Sequence, residues 1–567
     1  MKFPFFRSFA WRRPAWWRFS WADLVPALMT AVAMAMGALI YGFFMFPYSQ
    51  QVGYDEGYEA AATERVISGH WLPYVDAVSH RGPFLYWTQA IFHLATGRFQ
   101  WTGTRLMGLC ALVVTTACTF LTGWAARWPL AGAIGAVANV LVLATIYEPG
   151  GSVGVHGEPI AIAYLMIAMA VTAWALYRAE TSRGRTILLV VGGALVAVSG
   201  LTKQTLAIAC VPMSVWAFAR LGCEPPPDAP TGRLPLATGF RKGVLPFALG
   251  GLGVIALVLL RYAIAGHLGT LFYWSFTFNA QVYMEPYKGR VLELVTAWFY
   301  DQPWAIVGVA VTLAIAFGRP ASFIERFTLR DVLIALRGGA FEMTVGVIAV
   351  ALLWTAATPL RLWPHYFVPI YPFFGLTLGV AMERLMQRGG TVGWPAQLLV
   401  GVAVVGMLIA SGTVRYNRLT TARDHGSYIN PRPDPACREI NRIAGPGRQG
   451  VFMWGVLGDL YITCKRPSVS KFTYTTVIAG IVPPFWDDRK DSRVPPGVRD
   501  TLIQELTTSA PPVIMDNPMG ARAAMMDFPE FASFIDKRYC LASVLSDLKG
   551  RSIKFYARRD LPACQGR

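Results

Sequence analysis

The sequence predicts a polytopic α-helical membrane protein with a C-terminal soluble α/β domain. Three observations predict it. Apolar runs of membrane-spanning length recur between residues 24 and 414. Lys and Arg gather in the segments between alternate runs, as orientation in a bilayer requires. Past residue 415 the chain turns polar and Pro-rich, too charged to cross. Composition agrees: 54% of the 567 residues are hydrophobic and 15% are charged, against about 25% charged in soluble domains. The formal net charge of +18 is therefore read as topological and not as a nucleic-acid footprint. We place the membrane domain at 1–415, with an outer first loop at 47–103, and the soluble domain at 416–567.

The opening segment carries Lys2, Arg7, Arg12, Arg13 and Arg18, with no acid before Asp23, and interleaves them with Trp11, Trp16, Trp17 and Trp21. Such a segment lies at the headgroup level. The apolar run at 24–46 is longer than that of a signal peptide and reads as an uncleaved first span. With a cytoplasmic N-terminus, parity assigns the rest. Residues 105–125 return, 129–147 exit, and 159–177 return to Arg178, Arg183 and Arg185. The run 186–221 is broken only by Lys203 and Arg220, and the loop after it is basic again (Arg233, Arg241, Lys242). Two basic inner loops flanking this run demand two crossings, so Lys203 falls at an outer hairpin tip. Each half is then about 17 residues, short against the usual ~20. Residues 244–265 exit, and 266–302 form an aromatic outer loop resting on the membrane surface. Residues 303–318 return, 319–342 hold an amphipathic inner surface helix, and 343–358, 367–382 and 396–414 complete about eleven spans. The Gly-rich stretch at 250–253 lies inside a span and reads as helix packing.

In the soluble domain, 435–444 reads as a helix capped by Asp434. Residues 450–454, 512–515, 539–545 and 552–556 read as strands. Cys437, Cys464, Cys540 and Cys564 fall here and allow three pairings. Cys540 and Cys564 flank the last strand pair, which favours Cys540–Cys564 with Cys437–Cys464. Four free buried thiols are the alternative. Cys110, Cys118 and Cys210 lie in spans and read as packing residues.

Parity also sorts the conspicuous ionisable residues onto one side: Asp55, Glu56, His80, Arg81, His156, Glu158, Lys203, His267, Arg361 and His365. Charged groups near a bilayer are costly unless paired, wet or functional. Carboxylates among several cations suit a phosphorylated, membrane-tethered substrate. The cations hold the phosphate, and a carboxylate takes the proton of an attacking hydroxyl. Each residue also has a plainer reading: Asp55 and Glu56 as a solvated pair, Arg81 as a snorkelling side chain, Lys203 as a topological anchor, Glu158 as a charge at a helix start. His80 with His267 or Glu158 is a candidate metal pair, although the spacing matches no standard motif.

Asp55-Glu56, the run Gly69-His70-Trp71-Leu72-Pro73-Tyr74 and the run Arg81-Gly82-Pro83-Phe84-Leu85-Tyr86-Trp87 resemble the first outer loop of the protein O-mannosyltransferase-like GT-C glycosyltransferases. That group includes bacterial lipid-A aminoarabinose transferases. Gly200-Leu201-Thr202-Lys203-Gln204 is similar to the family's hairpin, and the stretch from Pro364 to Pro372, with His365 and Tyr366, to the start of its late span. The resemblance implies a GT-C fold of about eleven to thirteen transmembrane helices. It also implies inverting transfer from a polyprenyl-phosphate-linked sugar with Asp55 as base. Arg81 stands where the family has the Lys that contacts the carrier phosphate. Gly82 replaces the first Pro of the family's Pro-Pro, His80 the acid often preceding the Lys, and Glu158 an Asp.

The expectation is thus a glycosyltransferase of the bacterial inner membrane, cytoplasmic at its N-terminus, periplasmic in its soluble domain, and needing no cofactor. Asp55 is catalytic, and Glu56, Arg81, Glu158, Lys203, Arg361, His365 and Tyr366 bind substrate. Its partners are the lipid-linked donor, membrane lipid and an acceptor that is an envelope glycan such as lipopolysaccharide, a lipid or a protein. The alternatives are a transporter or flippase of a lipid-linked sugar, which calls for charges at mid-bilayer and repeated halves, and a non-catalytic envelope assembly protein.

Overall fold

The computed structural model describes residues 21–45, 54–146, 156–222, 236–283, 340–357, 364–388, 435–456, 458–481, 489–518, 523–546 and 552–565. Among them, eight helical stretches are long and apolar enough to cross a membrane. They fall in α1 (Trp21–Met45), α4 (Trp101–Ala125), α6 (Gly157–Tyr177), α7 (Ser182–Thr202), the stretch Gln204–Gly222 that contains α8 (Cys210–Gly222), and the stretches Leu236–Ile264, Ala340–Ala357 and His365–Arg384. Helix α5 (Pro129–Ile146) is apolar over the shorter Pro129–Val140. The expected spans at 303–318 and 396–414, the surface helix expected at 319–342 up to residue 339, and the Asp434 cap lie outside the described residues.

The run around Lys203 divides as parity requires. Helix α7 ends at Thr202, a 3-10 turn covers Gln204–Ala209, and α8 follows. The halves are 21 and 19 residues, not about 17, because α7 takes Arg183 and Arg185 into its first turns. Small residues bring the helices together, as expected where apolar burial supplies no driving force between them. A Cβ on Gly193 of α7 would lie 1.8 Å from the Phe247 carbonyl oxygen, and one on Gly250 would lie 1.8 Å from that of Val190. Gly250 and Gly251 are packing residues as expected, while Gly253 faces open space.

The segment between α1 and α4 is not a loop. It holds α2 (Tyr54–Ser68) and α3 (Pro83–Thr96). Asp55 and Glu56 sit in the first turn of α2, where a helix favours negative charge, and the Ala60–Ala61–Ala62 run propagates it. Pro83 occupies the first turn of α3, where its missing N–H is harmless. Glu64 ties the two helices, 2.9 Å from His93 and 2.8 Å from Arg98. Between them Asp76 accepts the backbone N–H groups of His70 and Leu72, at 3.0 and 2.8 Å.

The aromatics expected on the membrane surface divide. Phe272 and Phe276 are exposed, but Trp274 and Phe278 are buried against Tyr74 and Tyr262. The surrounding chain forms short helical turns at Leu268–Phe272, Tyr273–Thr277 and Asn279–Tyr283, which aim alternate rings inward.

The C-terminal region contains a helix at Pro435–Ala444 and strands β1 (Phe452–Trp454), β2 (Val513–Asp516), β3 (Tyr539–Ser546) and β4 (Ser552–Arg558). They form one mixed sheet in the order β1-β2-β4-β3, with β1 and β2 parallel and the other pairs antiparallel. Disulfides join Cys437 to Cys464 and Cys540 to Cys564. The short helix Asp459–Thr463, held by the first disulfide at Cys464, packs directly on α2.

Candidate functional site

Five chain segments converge at one end of the helix bundle. The first turns of α2 present Asp55 and, one turn on and so on the same face, Glu59, with Tyr58 beside it. The turn before α3 presents Arg81. The start of α6 presents His156 and Glu158. Lys203 follows the end of α7, and the 3-10 turn Pro364–Ile370 presents His365 and Tyr366.

Arg81 is the hub. Its Nη2 lies 2.6 Å from Asp55 Oδ2, its Nε 2.5 Å from Glu59 Oε1, and its Nη1 3.6 Å from Glu158 Oε2. Its Nε also donates to the Tyr58 hydroxyl at 2.6 Å. Lys203 Nζ lies 2.5 Å from Glu158 Oε1 and 5.0 Å from the centre of the Tyr366 ring. His156 Nδ1 is 3.5 Å from Asp55 Oδ2, and its ring stacks on His365 with centroids 4.5 Å apart. Asp55 is 34% exposed while Arg81, Glu59 and Glu158 are at most 4% exposed. It is the most exposed carboxylate of this group.

The turn that carries Arg81 is fixed from several directions. The Tyr74 hydroxyl donates to the Arg81 carbonyl at 2.6 Å, and Asn279 Nδ2 donates to that of His80 at 2.9 Å. Gly82 lets this turn press against the end of α7: a Cβ there would lie 1.9 Å from the Leu201 carbonyl oxygen. No other residue fits without displacing the turn, which explains why Gly stands where the resemblance led one to expect Pro.

Burial alone would raise the Asp55 carboxyl. The Arg81 guanidinium and then the hydrogen bond with His156 outweigh it and hold the group well below the ordinary carboxylate range. Glu59 goes the other way: burial pushes it up to about 8 against the pull of Arg81. Asp55 is thus anionic at neutral pH and Glu59 carries its proton.

Two cavities adjoin the cluster. One of about 320 Å³ is lined by His80, Arg81, Glu158, Lys203 and Tyr366 among others. The second, about 490 Å³, is an apolar groove between α7 and the helix Leu245–Ile264, lined by residues such as Val196, Leu201, Ile255 and Leu259. Gln204, Ser275 and Phe276 line both. A chamber with Arg81, Glu158 and Lys203 on its wall thus adjoins an apolar groove.

Of the residues singled out from the sequence, Asp55, Arg81, Glu158, Lys203, His365 and Tyr366 come together here. Glu56, expected to bind substrate, makes its ion pair elsewhere. It is fully buried and pairs with Arg105 of α4, because consecutive residues of a helix point about 100° apart. Arg361 lies outside the described residues. His267 precedes the Leu268–Phe272 turn, and among the described residues no group of three or more His, Cys, Asp or Glu could hold a metal ion. The sequence reading missed Tyr58 and Glu59 as members of the cluster. The spacing of Asp55 and Glu59 carries that signal once α2 is recognised as a helix.

The structure is similar to that of ArnT from Cupriavidus metallidurans bound to undecaprenyl phosphate, with a TM-score of 0.55 at 16% identity, over 95% of this chain and 98% of that one. The same enzyme in the apo state gives a TM-score of 0.55 at 15% identity, with the same coverage. The archaeal oligosaccharyltransferase AglB from Archaeoglobus fulgidus, in complex with an inhibitory peptide and a dolichol-phosphate, gives 0.49 at 13% identity, over 95% of this chain and 75% of that one. No protein-family model and no curated relative matches the chain. The likeness to the two ArnT structures shows the fold, which is the GT-C glycosyltransferase fold.

Proposed function

We propose that this chain, a multi-pass membrane protein with the GT-C fold, transfers a sugar from a polyprenyl-phosphate donor to an acceptor hydroxyl, with inversion. The observation that carries the reading is the convergence of Arg81 and Lys203 on the single carboxylate of Glu158, with Asp55 on the far side of Arg81 and an apolar groove alongside. An amphipathic donor fits this layout: the prenyl tail in the groove, the phosphate at Arg81 and Lys203. ArnT, whose fold this chain shares, was crystallised with undecaprenyl phosphate.

In this mechanism Asp55 takes the proton of the acceptor hydroxyl as its oxygen attacks the anomeric carbon. The bond from that carbon to the phosphate oxygen breaks, and its electron pair leaves with the polyprenyl phosphate. Arg81 and Lys203 stabilise the departing charge, so no general acid is needed. Asp55 is a weak base while Arg81 holds it. Transfer through an oxocarbenium-like transition state needs only modest basicity, and a donor phosphate drawing on Arg81 raises it. Tyr366 lines the chamber beside Lys203 with His365 packed behind its ring, and Glu158 holds the two cations together until the donor arrives. No metal is assigned a role.

Our reading further places the site on the periplasmic face of a bacterial inner membrane, with the acceptor an envelope glycan, lipid or protein. A transporter of lipid-linked sugars fits less well, since Glu158 is the second residue of α6 and Lys203 follows the last of α7, away from mid-bilayer. Incubating the purified protein with a panel of polyprenyl-phosphate sugars tests the assignment. Release of polyprenyl phosphate from one of them, in the presence of envelope acceptors, is the expected result. Binding without consumption across the panel would overturn it.

A further inference from the structure

We infer that the C-terminal region completes the transfer site and that Tyr474 is a positioning residue for the donor-phosphate contact of Arg81. This rests on the proposed function. The Tyr474 ring lies against that of Tyr58, with centroids 4.6 Å apart and planes 33° apart, and each residue is 5% exposed. The Tyr58 hydroxyl in turn accepts the Arg81 Nε–H at 2.6 Å, and the guanidinium carbon lies 5.8 Å from the Tyr58 ring centre. Tyr58 is thus held between a ring from the C-terminal region and the hub of the charged cluster.

The contact is built in and not incidental. Gly57 and Gly458 allow two segments of the chain to meet backbone to backbone. A Cβ on Gly57 would lie 2.7 Å from Asp459 N, and one on Gly458 would lie 2.6 Å from Tyr58 Cα. The segment leading to Tyr474 is fastened along α2 and the turn after it. Arg65 Nη1 donates to the Ser468 carbonyl at 3.3 Å and Val78 N to that of Lys471 at 2.9 Å. At its far end Thr475 N donates to the Gly455 carbonyl at 3.1 Å, just beyond β1. Trp101 Nε1 adds a 3.3 Å bond to Thr463 Oγ1. The sheet therefore sets the position of Tyr474, Tyr474 sets the Tyr58 ring, and Tyr58 sets the Arg81 fork, whose planar geometry decides how it meets a phosphate.

The test is binding of undecaprenyl phosphate alone to the purified full chain, alongside donor and acceptor KM. Aromatic pairs of this kind justify an effect of about five-fold. Tyr474→Ala should weaken undecaprenyl phosphate binding and raise donor KM by about that factor, with acceptor KM unmoved. Tyr474→Phe, which keeps the ring, should restore both. Tyr474→Leu, which keeps apolar bulk and guards against a folding defect, should behave as the Ala variant. Wild-type binding in both Tyr474→Ala and Tyr474→Leu, with transfer by the wild type intact, would overturn the inference and leave the proposed function standing. A wild type that binds no undecaprenyl phosphate would overturn the proposed function, and this inference with it.

Discussion

Lys203 Nζ lies 2.5 Å from Glu158 Oε1, joining the end of α7 to the start of α6 on the wall of the chamber that both residues line. Glu158 is 1% exposed, and among the described residues its other cationic partner is Arg81 at 3.6 Å. Removing one member of a buried pair leaves the other charge poorly compensated, at about 3–5 kcal/mol. Lys203→Met should therefore lower the thermal midpoint and weaken binding of a polyprenyl phosphate. Lys203→Arg should recover most of the stability. A melt of Lys203→Met that matches wild type would show the pair to be incidental.

Glu59 gives a pH signature. Its folded-state value is raised from the ordinary 4.5 to about 8, so between those values the folded protein holds a proton that the unfolded chain has lost. Its stabilising contribution is full below about 4.5 and is lost as pH rises through about 8. Asp55, held low, acts in the opposite sense: its contribution is present above the ordinary carboxylate range and is lost as pH falls. The thermal midpoint of the wild type should therefore decline more steeply than that of Glu59→Gln between about pH 4.5 and 8. Parallel pH profiles for the two would contradict it.

Gly82 tests the geometry that brings the cations together. Ala at this position must push the turn away from Leu201, and overpacking of this kind costs about 1–3 kcal/mol. Because the displaced turn carries Arg81, Gly82→Ala should raise donor KM more than its loss of stability accounts for. A variant that loses stability but keeps its donor KM would show that the close contact serves packing alone.

Much of this architecture was legible before the structure. The hairpin at Lys203 could be found because basic residues recur on both sides of the apolar run, Arg183 and Arg185 before it and Arg233, Arg241 and Lys242 after it. The four strands announced themselves by β-branched and aromatic runs, and Cys540 and Cys564 by flanking the last pair. What was not legible was local. Read as a loop, the segment from Tyr54 to Trp87 put Asp55 and Glu56 in one site. Once it is helical, Asp55 joins Tyr58 and Glu59 at Arg81, while Glu56 turns to Arg105. Arg105 itself looks like a topological charge at the head of a span, and only tertiary packing shows it to be a buried partner. The contact of Tyr474 with Tyr58 joins residues 416 positions apart, beyond the reach of any local pattern.

The most direct test of the account is single-turnover sugar transfer by Asp55→Asn, measured together with its affinity for polyprenyl phosphate. The substitution keeps the shape and removes the proton acceptor, so donor binding should persist while transfer falls by at least about 100-fold. Transfer at near wild-type rate in Asp55→Asn, with donor bound, would contradict the claim that Asp55 is the base.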